Sequence, residues 1–205
     1  LNEGFGAIAT NSLPWEDDSP VAGATMHNAL HYLDSDVAGT KITTAVKSVT
    51  FGLNKDYANI TDNYTGTLVD VEQDVPVYAY YVKDGGNYQV YFLANDDIYL
   101  PENCYAFFYN TKAAIGMNAL MSVDASNANT SRVKTMERMF RACPALTELD
   151  LNHWDVSKVT NMERIFYGCT GLESLTLPES LQTIGNYAFY NCRSLAKINF
   201  NAANL

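Results

Sequence analysis

Apolar residues recur at a fixed interval along the second half of the chain. The segment RVKTMERMFRACPALTELDL, residues 132–151, matches KVTNMERIFYGCTGLESLTL, residues 158–177, with a shift of 26 residues. The matched apolar pairs are Val133 and Val159, Met136 and Met162, Phe140 and Phe166, Cys143 and Cys169, Leu146 and Leu172, Leu149 and Leu175, and Leu151 and Leu177. An internal repeat of this length predicts a stack of similar units that share one core.

Further copies flank this pair. A third copy follows after 23 residues, with Phe189, Cys192, Leu195, Ile198 and Phe200 at the corresponding positions. A degenerate copy precedes the pair, with Met117 in place of the cysteine and Leu120, Val123 and Ala125 in place of the three leucines. Farther upstream, Cys104 and Phe108 align with Met136 and Phe140, before an insertion around NTKAAI. We therefore expect the repeat array over residues 98–205, with its clear copies at about 130–200.

The spacing within one unit predicts its elements. The apolar positions from Val133 to Cys143 are three, four and three residues apart, which indicates one face of a short helix. Leu149 and Leu151 alternate with polar residues, as on a half-buried strand. Each unit is then helix, turn, strand, turn. Stacking such units predicts an α+β repeat protein, a short right-handed solenoid with parallel strands on one side and short helices on the other.

The first half, residues 1–97, is expected to be a β-rich region with a hairpin. PVYAYYVKDGGNYQVYFLAN, residues 76–95, has β-branched and aromatic residues on both sides of DGGN, a turn that tolerates positive φ. The alternation places Val77, Ala79 and Tyr81 on one face and Tyr78, Tyr80 and Val82 on the other. Either both faces are covered, the commoner outcome, or one face is a tyrosine-rich binding surface.

Four aromatic residues are candidates for a ligand surface. Tyr78, Tyr80 and Tyr91 belong to the predicted hairpin, and Trp154 belongs to the repeat array.

Two patterns upstream of the hairpin give weaker predictions of secondary structure. ATMHNALHYL has helical spacing and predicts a short helix, whereas TTAVKSVTFG matches the leucine spacing of the repeats and is either a first repeat or a simple strand.

Two candidate metal motifs are incomplete. His27 and His31 are four residues apart and would face the same way on a helix, as two zinc ligands must. The glutamate of an HExxH motif is replaced by Asn28, and the chain has one other histidine, His153. DSDVAGT begins like a calcium loop but has alanine at two positions that require oxygen ligands. No metal is predicted, and the two helix histidines are expected to be partly exposed.

The sequence offers no catalytic pattern. It has no GxSxG, no phosphate-binding glycine loop and no CxxC pair, so neither a catalytic residue nor a cofactor is predicted. Three of the four cysteines recur at one repeat position, which favours buried free thiols that pack as small apolar residues. Stacked rungs lie about 4.8 Å apart, so a disulfide between neighbouring cysteines is compatible with that distance.

Charge is distributed unevenly along the chain. Residues 1–100 contain 4 Lys+Arg and 14 Asp+Glu, whereas residues 101–205 contain 9 and 9, so the first half carries the whole net charge of −10. This acidity argues against a nucleic-acid partner.

No apolar run reaches the roughly 18 residues of a membrane-spanning helix. The chain begins with Leu and shows no complete signal peptide, so we interpret it as a mature or trimmed fragment.

Two segments resemble a known family of bacterial surface proteins. HWDVSKVTNMERIFYGCTGLESLTL resembles surface-protein repeats that read W-D-T-S-x-V-T-N-M-x-x-M-F-x-x-C-x-x-L. LPESLQTIGNYAFYNCRSLAKINF is similar to the BspA-type leucine-rich repeat, LPxxLxxIGxxAFxxCxxLxxI. The resemblance covers about residues 130–200, although the first clear copy has NANTSRV where Trp154 and Asp155 would recur.

The resemblance implies a leucine-rich-repeat solenoid in a secreted or surface-attached bacterial protein. Such a protein is expected to be non-enzymatic, extracellular or at the cell surface, and to bind host matrix, cells, a surface protein or a glycan. The family has no universal ligand residues that could be transferred to this chain. A structural spacer or assembly unit is the alternative function, and a metal-dependent enzyme is a remote one. The sequence does not indicate the oligomeric state.

Overall fold

The computed structural model describes residues 24–31, 41–70, 73–110 and 114–200. Its helices are α1 (Met26–His31) and α2 (Ala58–Thr61), with a 3-10 helix at Asn54–Asp56. Its strands are β1 (Ala24–Thr25), β2 (Val46–Leu53), β3 (Thr67–Asp70), β4 (Val77–Asp84), β5 (Asn87–Ala94), β6 (Ile98–Tyr99), β7 (Tyr109–Asn110), β8 (Ile115–Gly116), β9 (Ser122–Asp124), β10 (Ala128–Asn129), β11 (Glu148–Asp150), β12 (Ser174–Leu177) and β13 (Lys197–Phe200).

The predicted hairpin is confirmed. Strands β4 and β5 pair in antiparallel fashion from Tyr78 opposite Leu93 to Asp84 opposite Asn87. Gly85, in the turn between them, has a φ of +63°, a conformation that glycine adopts without steric cost. The DGGN sequence therefore sets both the turn and the register of the hairpin.

A six-stranded sheet contains strands from both halves of the chain. Its order is β1-β3-β4-β5-β2-β9, and β2 is parallel to both β5 and β9. Val49 of β2 pairs with Val123 of β9, so TTAVKSVTFG forms a strand beside the degenerate repeat. The division predicted after residue 97 stays a prediction, and β2 and β9 join across it.

The register of the clear repeats is confirmed. In the parallel sheet β11-β12-β13, Leu149 pairs with Leu175 and Leu175 pairs with Ile198. These are the residues that the shifts of 26 and 23 positions match. Leu175 is fully buried between its two neighbours. The strands of successive repeats thus stack in register, whereas the right-handed superhelix stays a prediction.

The segments predicted as repeat helices form successive turns instead. Each contains two residues at positive φ four positions apart: Arg138 and Ala142, Arg164 and Gly168, and Tyr187 and Asn191. The N–H groups of Met136, Arg138, Phe140 and Ala142 donate to carbonyl oxygens of the next repeat at 2.8–2.9 Å. We call these inter-repeat bonds the turn ladder. The prediction of short repeat helices is wrong, because the ladder uses N–H groups that a helix would need for its own bonds.

Aromatic rings stack along the repeats inside the turn ladder. The ring centroids of Phe108 and Phe140 are 4.8 Å apart, those of Phe140 and Phe166 are 5.7 Å apart, and those of Phe166 and Phe189 are 5.7 Å apart. Phe108, Phe140 and Phe166 are fully buried. The alignment of Cys104 and Phe108 with Met136 and Phe140 is therefore confirmed, since Phe108 is the first ring of the same stack.

The four cysteines are free thiols in this structure; Cys104, Cys143 and Cys169 are buried, and Cys192 is half-buried. Each repeat cysteine points at the carbonyl oxygen of a phenylalanine in the preceding repeat. The Sγ–O distances are 3.8 Å from Cys143 to Phe108, 2.9 Å from Cys169 to Phe140 and 3.1 Å from Cys192 to Phe166. Because a thiol is a weak donor, these contacts combine packing with a weak hydrogen bond.

A second stack runs over the outer side of the turns. The Arg141 guanidinium lies between the rings of Tyr109 and Tyr167, 4.9 Å from each centroid. The ring of Tyr190 stacks on that of Tyr167 at 4.9 Å. Cation–π contacts of this kind add to the cohesion of neighbouring repeats.

The predicted short helix is present as α1, but its histidines are not exposed. All six residues of α1 are buried, and the rings of His27 and His31 lie 4.3 Å apart. His31 Nδ1 lies 3.0 Å from the Thr43 hydroxyl. The expectation of partly exposed histidines is wrong, because every residue of α1 is buried and three of them belong to the main core.

Candidate ligand surfaces

Five tyrosines gather on the outer side of the hairpin. Tyr78 and Tyr80 occupy alternate positions of β4, and Tyr91 of β5 lies opposite Tyr80. Tyr57 precedes α2 and Tyr64 follows it. We call this set the tyrosine face: Tyr57, Tyr64, Tyr78, Tyr80 and Tyr91.

The tyrosine face has a buried base and a partly exposed rim. Tyr80, 8% exposed, packs with Ile60 of α2 and Leu93 of β5 in a small core of its own. Tyr57, Tyr78 and Tyr91 are half-buried around it, and Tyr64 is 40% exposed. The outer face of the hairpin is therefore covered at Tyr80 and partly exposed at its rim, whereas its other face joins the main core. Three of the predicted ligand residues meet here, but Tyr80 lies at the base rather than on the rim.

Two glycines make room for the rings. A Cβ atom on Gly66 would lie 2.6 Å from Cζ of Tyr80, and one on Gly52 would lie 2.3 Å from Cε2 of Tyr57. Side-chain carbons do not approach each other this closely. The absence of a side chain at these two positions therefore leaves the space that the two rings occupy.

Local contacts orient the rim. The rings of Tyr57 and Tyr91 are 5.7 Å apart and tilted by 58°, and the Tyr91 hydroxyl donates to Gln89 Oε1 at 2.8 Å. Burial raises the pKa of Tyr57, Tyr80 and Tyr91, and the nearby Asp124 raises that of Tyr57 further. The phenols of these three tyrosines therefore stay neutral at physiological pH and offer ring surface and hydroxyl groups rather than charge.

A second candidate surface consists of two adjoining shallow, open depressions along the loops that follow β9, β11 and β12. One part, about 390 Å³, is lined by residues 152–155 with Glu179 and Ser180. The other part, about 350 Å³, is lined by Asp97 and residues 126–131. His153 and Asp155 line both parts, and we call the whole the His153 groove.

Trp154, the fourth predicted ligand residue, lies in the repeats and apart from the tyrosine face. It belongs to the main core, with its ring centroid 6.2 Å from that of Phe140. Only 3% of the residue is exposed, and it lines the His153 groove. Its buried Nε1–H has no acceptor among the described residues. Trp154 therefore offers little ring surface to a ligand.

The thiols of Cys143 and Cys169 are not activated, and the described residues contain no cluster of metal ligands. Burial raises the pKa of the Cys143 thiol to about 12 and that of Cys169 well above its usual range, so both stay protonated at neutral pH. No group of three His, Cys, Asp or Glu side chains among them is placed to hold a metal ion. The helices described here are all too short or too polar to span a membrane.

Sequence reasoning missed Tyr57 and Tyr64. They flank α2, and Ile60 lies within it. Tyr57, Ile60 and Tyr64 are three and four residues apart, a helical period that could have marked one apolar face.

Sequence reasoning also missed the His153 groove. Asn127, His153 and Glu179 occupy one repeat position at successive shifts of 26 residues, and reading the polar positions in the repeat register would have placed them in one row.

A comparison with protein-family models agrees with the repeat fold. Residues 107–205 match the model of the BspA type leucine rich repeat region in six copies. The chain is also similar to the crystal structure of a leucine rich cell surface protein from Faecalibacterium prausnitzii A2-165, at 17% identity and a TM-score of 0.38. That alignment covers 78% of this chain and 49% of the other, so it spans about half the length of that structure. No curated protein matches the chain.

Proposed function

We propose that the chain is a non-enzymatic binding module of a bacterial surface or secreted protein, because residues 107–205 match the BspA type leucine rich repeat region. The module mediates adhesion to a host or bacterial protein, to a cell or to a glycan. The repeat array acts as a rigid scaffold, since its strands, turn ladder and phenylalanine stack hold each unit to the next.

The observation that carries this proposal is the tyrosine face. Tyrosine supplies a large amphipathic contact area at low conformational cost, and it is enriched in the cores of protein interfaces. Here a buried base of Ile60, Tyr80 and Leu93 supports the half-buried ring of Tyr91 before a ligand arrives. The exposed Tyr64 lies near Tyr91. A surface organised in this way loses little entropy on binding.

A binding screen tests the proposal. Purified protein is titrated onto immobilised extracellular-matrix proteins, host cells and a glycan array, and we expect saturable binding to at least one of them. The double variant Tyr64→Ala/Tyr91→Ala is expected to weaken that binding at least about tenfold. Tyr190→Ala is the matched control, because Tyr190 is an exposed tyrosine of the repeats, and it leaves the affinity unchanged. The absence of saturable binding by the wild-type protein contradicts the proposal.

A structural or assembly role is the second candidate, and one observation favours it. The outer side of the last described repeat exposes large apolar side chains, among them Tyr187, Tyr190 and Phe200, the last at 57%. Exposed apolar surface of this kind is typical of an interaction site. Light scattering at increasing protein concentration tests this role. Association that Phe200→Ser abolishes supports it, and a strictly monomeric protein contradicts it.

A further inference from the structure

The side chains stacked on the outer side of the turns include one arginine among three tyrosines. Tyr109, Arg141, Tyr167 and Tyr190 each follow the stacked phenylalanine of their unit, so they occupy one repeat position. We call this set the outer column. We propose that Arg141 binds a carboxylate of a partner protein and that Tyr190 receives an apolar side chain of the same partner segment. This site is separate from the tyrosine face and goes beyond the adhesion proposed for it.

The ring contacts determine how the Arg141 guanidinium is presented. The rings of Tyr109 and Tyr167 lie on either side of it, each with its centroid 4.9 Å from the guanidinium carbon. These contacts use the π faces of the rings and supply no oxygen acceptor for the N–H groups. The edge of the guanidinium is therefore left for a ligand, and its N–H groups match the two oxygens of a carboxylate.

Arg141 has no anionic partner among the residues that the structure describes. Arg138, on the same turns, pairs with Glu137 at 3.3 Å. Arg164 pairs with Glu163 at 2.5 Å. The half-buried side chain of Arg141 makes ring contacts but neither a salt bridge nor a hydrogen bond in that part of the chain. Because a half-buried cation is less hydrated than an exposed one, a carboxylate that reaches it stabilises it more.

Exposed tyrosine rings lie beside this cation. Tyr190 stacks on Tyr167 at 4.9 Å, and Tyr187 meets Tyr190 edge-on at 6.1 Å. Tyr190 is 55% exposed and Tyr187 is 59% exposed, so both offer apolar ring surface to a ligand. Arginine and tyrosine are two of the three residue types enriched in the hot spots of protein–protein interfaces. The combination therefore favours a protein partner over a free anion.

The spacing along the outer column sets the distance between the two contacts. Tyr190 is two rungs from Arg141, and rungs are about 4.8 Å apart, so the two groups are about 10 Å apart. An extended polypeptide covers that distance in about three residues. In a polyproline II segment, with three residues per turn and a rise of about 3.1 Å, residues three positions apart also share one face. Such a segment can place a carboxylate on Arg141 and an apolar side chain on Tyr190.

Titrations followed by ¹H–¹⁵N NMR test this site. The probes are the capped peptides Glu-Pro-Pro-Phe and Phe-Pro-Pro-Glu, each up to about 10 mM. We expect at least one of them to shift the Arg141 Nε–H and the Tyr167 backbone N–H in a saturable manner. The same peptides with glutamine in place of glutamate are expected to cause no such shift. Hexagalacturonate and a sulfated heparin hexasaccharide are the anionic saccharide comparisons.

Variants separate the carboxylate contact from general attraction between charges. Arg141→Lys keeps the charge but cannot form the two-pronged contact, so we expect it to weaken peptide binding at least about tenfold. Arg132→Lys is the matched control, because Arg132 also lies over a tyrosine ring, that of Tyr99 at 4.0 Å, and it leaves the binding unchanged. Tyr190→Ala replaces an exposed side chain and should also weaken the binding. Circular dichroism shows whether each variant is folded.

Several outcomes would overturn this site. They are the absence of a saturable shift by either acidic peptide, equal binding of the glutamine peptides, and undiminished binding by both folded variants, Arg141→Lys and Tyr190→Ala. Saturable binding of a saccharide but of neither peptide would assign Arg141 to an acidic glycan instead. Tyr64→Ala/Tyr91→Ala is expected to leave peptide binding unchanged. If the adhesion screen shows binding through the tyrosine face while both peptides fail, only the Arg141 site is lost and the proposed function stands.

Discussion

The Cys169 thiol lies 2.9 Å from the carbonyl oxygen of Phe140, to which it donates a hydrogen bond across two adjacent repeats. Cys192 makes the same contact with Phe166 at 3.1 Å. Burial raises the pKa of both thiols, more so for Cys169, which keeps them protonated and able to donate. The repeated cysteine is thus explained by a contact between units, without a disulfide.

Replacing this cysteine is expected to destabilise the array. Cys169→Ala removes the bond and leaves a small cavity next to Phe140, and we expect a loss of about 1–2 kcal/mol in the free energy of unfolding. Cys192→Ala is the matched comparison and should cost less, because Cys192 is half-buried. Urea unfolding followed by circular dichroism measures both. A Cys169→Ala protein as stable as the wild type contradicts the role of the Cys169 contact between repeats.

Leu175 tests the register of the strands. It is fully buried and paired with Leu149 on one side and Ile198 on the other. Leu175→Ala is expected to lower the free energy of unfolding by about 2–5 kcal/mol, through lost burial and a cavity between two rungs. Glu148→Ala, at an exposed position of β11, should change it by less than about 0.5 kcal/mol. A Leu175→Ala protein that melts at the wild-type temperature would show the register to be wrong.

The buried histidine pair predicts a loss of stability in mild acid. Burial lowers the pKa of His27 from 6.5 to about 4, and burial together with His27 lowers the pKa of His31 well below its usual value. Because the folded-state pKa lies below that of the unfolded chain, the unfolded state binds the proton first as the pH falls. The contribution of His27 is therefore complete above pH 6.5 and is lost between pH 6.5 and about 4, at a cost of about 3 kcal/mol.

Unfolding curves between pH 7 and 4 measure this dependence. His27→Gln removes one titrating group and should flatten the decline. The control is His153→Gln, which replaces an exposed histidine of the groove and should keep the wild-type profile. A decline of equal steepness in His27→Gln would assign the acid sensitivity to other groups.

Gly66 tests how the tyrosine face is built. Gly66→Ala places a Cβ 2.6 Å from the ring of Tyr80, which is held in a buried cluster, so we expect a loss of about 1–3 kcal/mol in stability and weaker ligand binding. Gly86→Ala is the control, because a Cβ there meets nothing within 4 Å. Differential scanning calorimetry compares the two proteins. Equal melting temperatures would mean that the Tyr80 ring moves aside freely.

The register was predictable because the core positions are periodic in the sequence. Leu149, Leu175 and Ile198 recur at one place in each unit, and only one face of each strand is buried, so a slip of one residue would expose them. The repeat helices were not predictable as turns. Arg138 and Ala142 adopt positive φ, although arginine and alanine rarely do so. Each of the three clear repeats has two such positions, and of these six residues only Gly168 is a glycine.

The tyrosine face was predictable only in part. Alternation along β4 placed Tyr78 and Tyr80 on one side of the hairpin, because successive side chains on a strand point to opposite faces. Which side would be covered depends on α2, a single turn of helix that brings Ile60 onto Tyr80. A contact between an element this short and a strand about 20 positions away leaves no periodic pattern for sequence reasoning to find.

The turn ladder divides each repeat into a part whose length is fixed and a part whose length varies. From Cys169 to Leu172 and from Cys192 to Leu195 the spacing is three residues, whereas 15 positions separate Leu151 from Phe166 and 12 separate Leu177 from Phe189. The three-residue difference falls in the loop after the strand, the same loop that lines the His153 groove. Insertions and substitutions there leave the ladder bonds in register, so this fold can acquire new binding specificity without rebuilding its core.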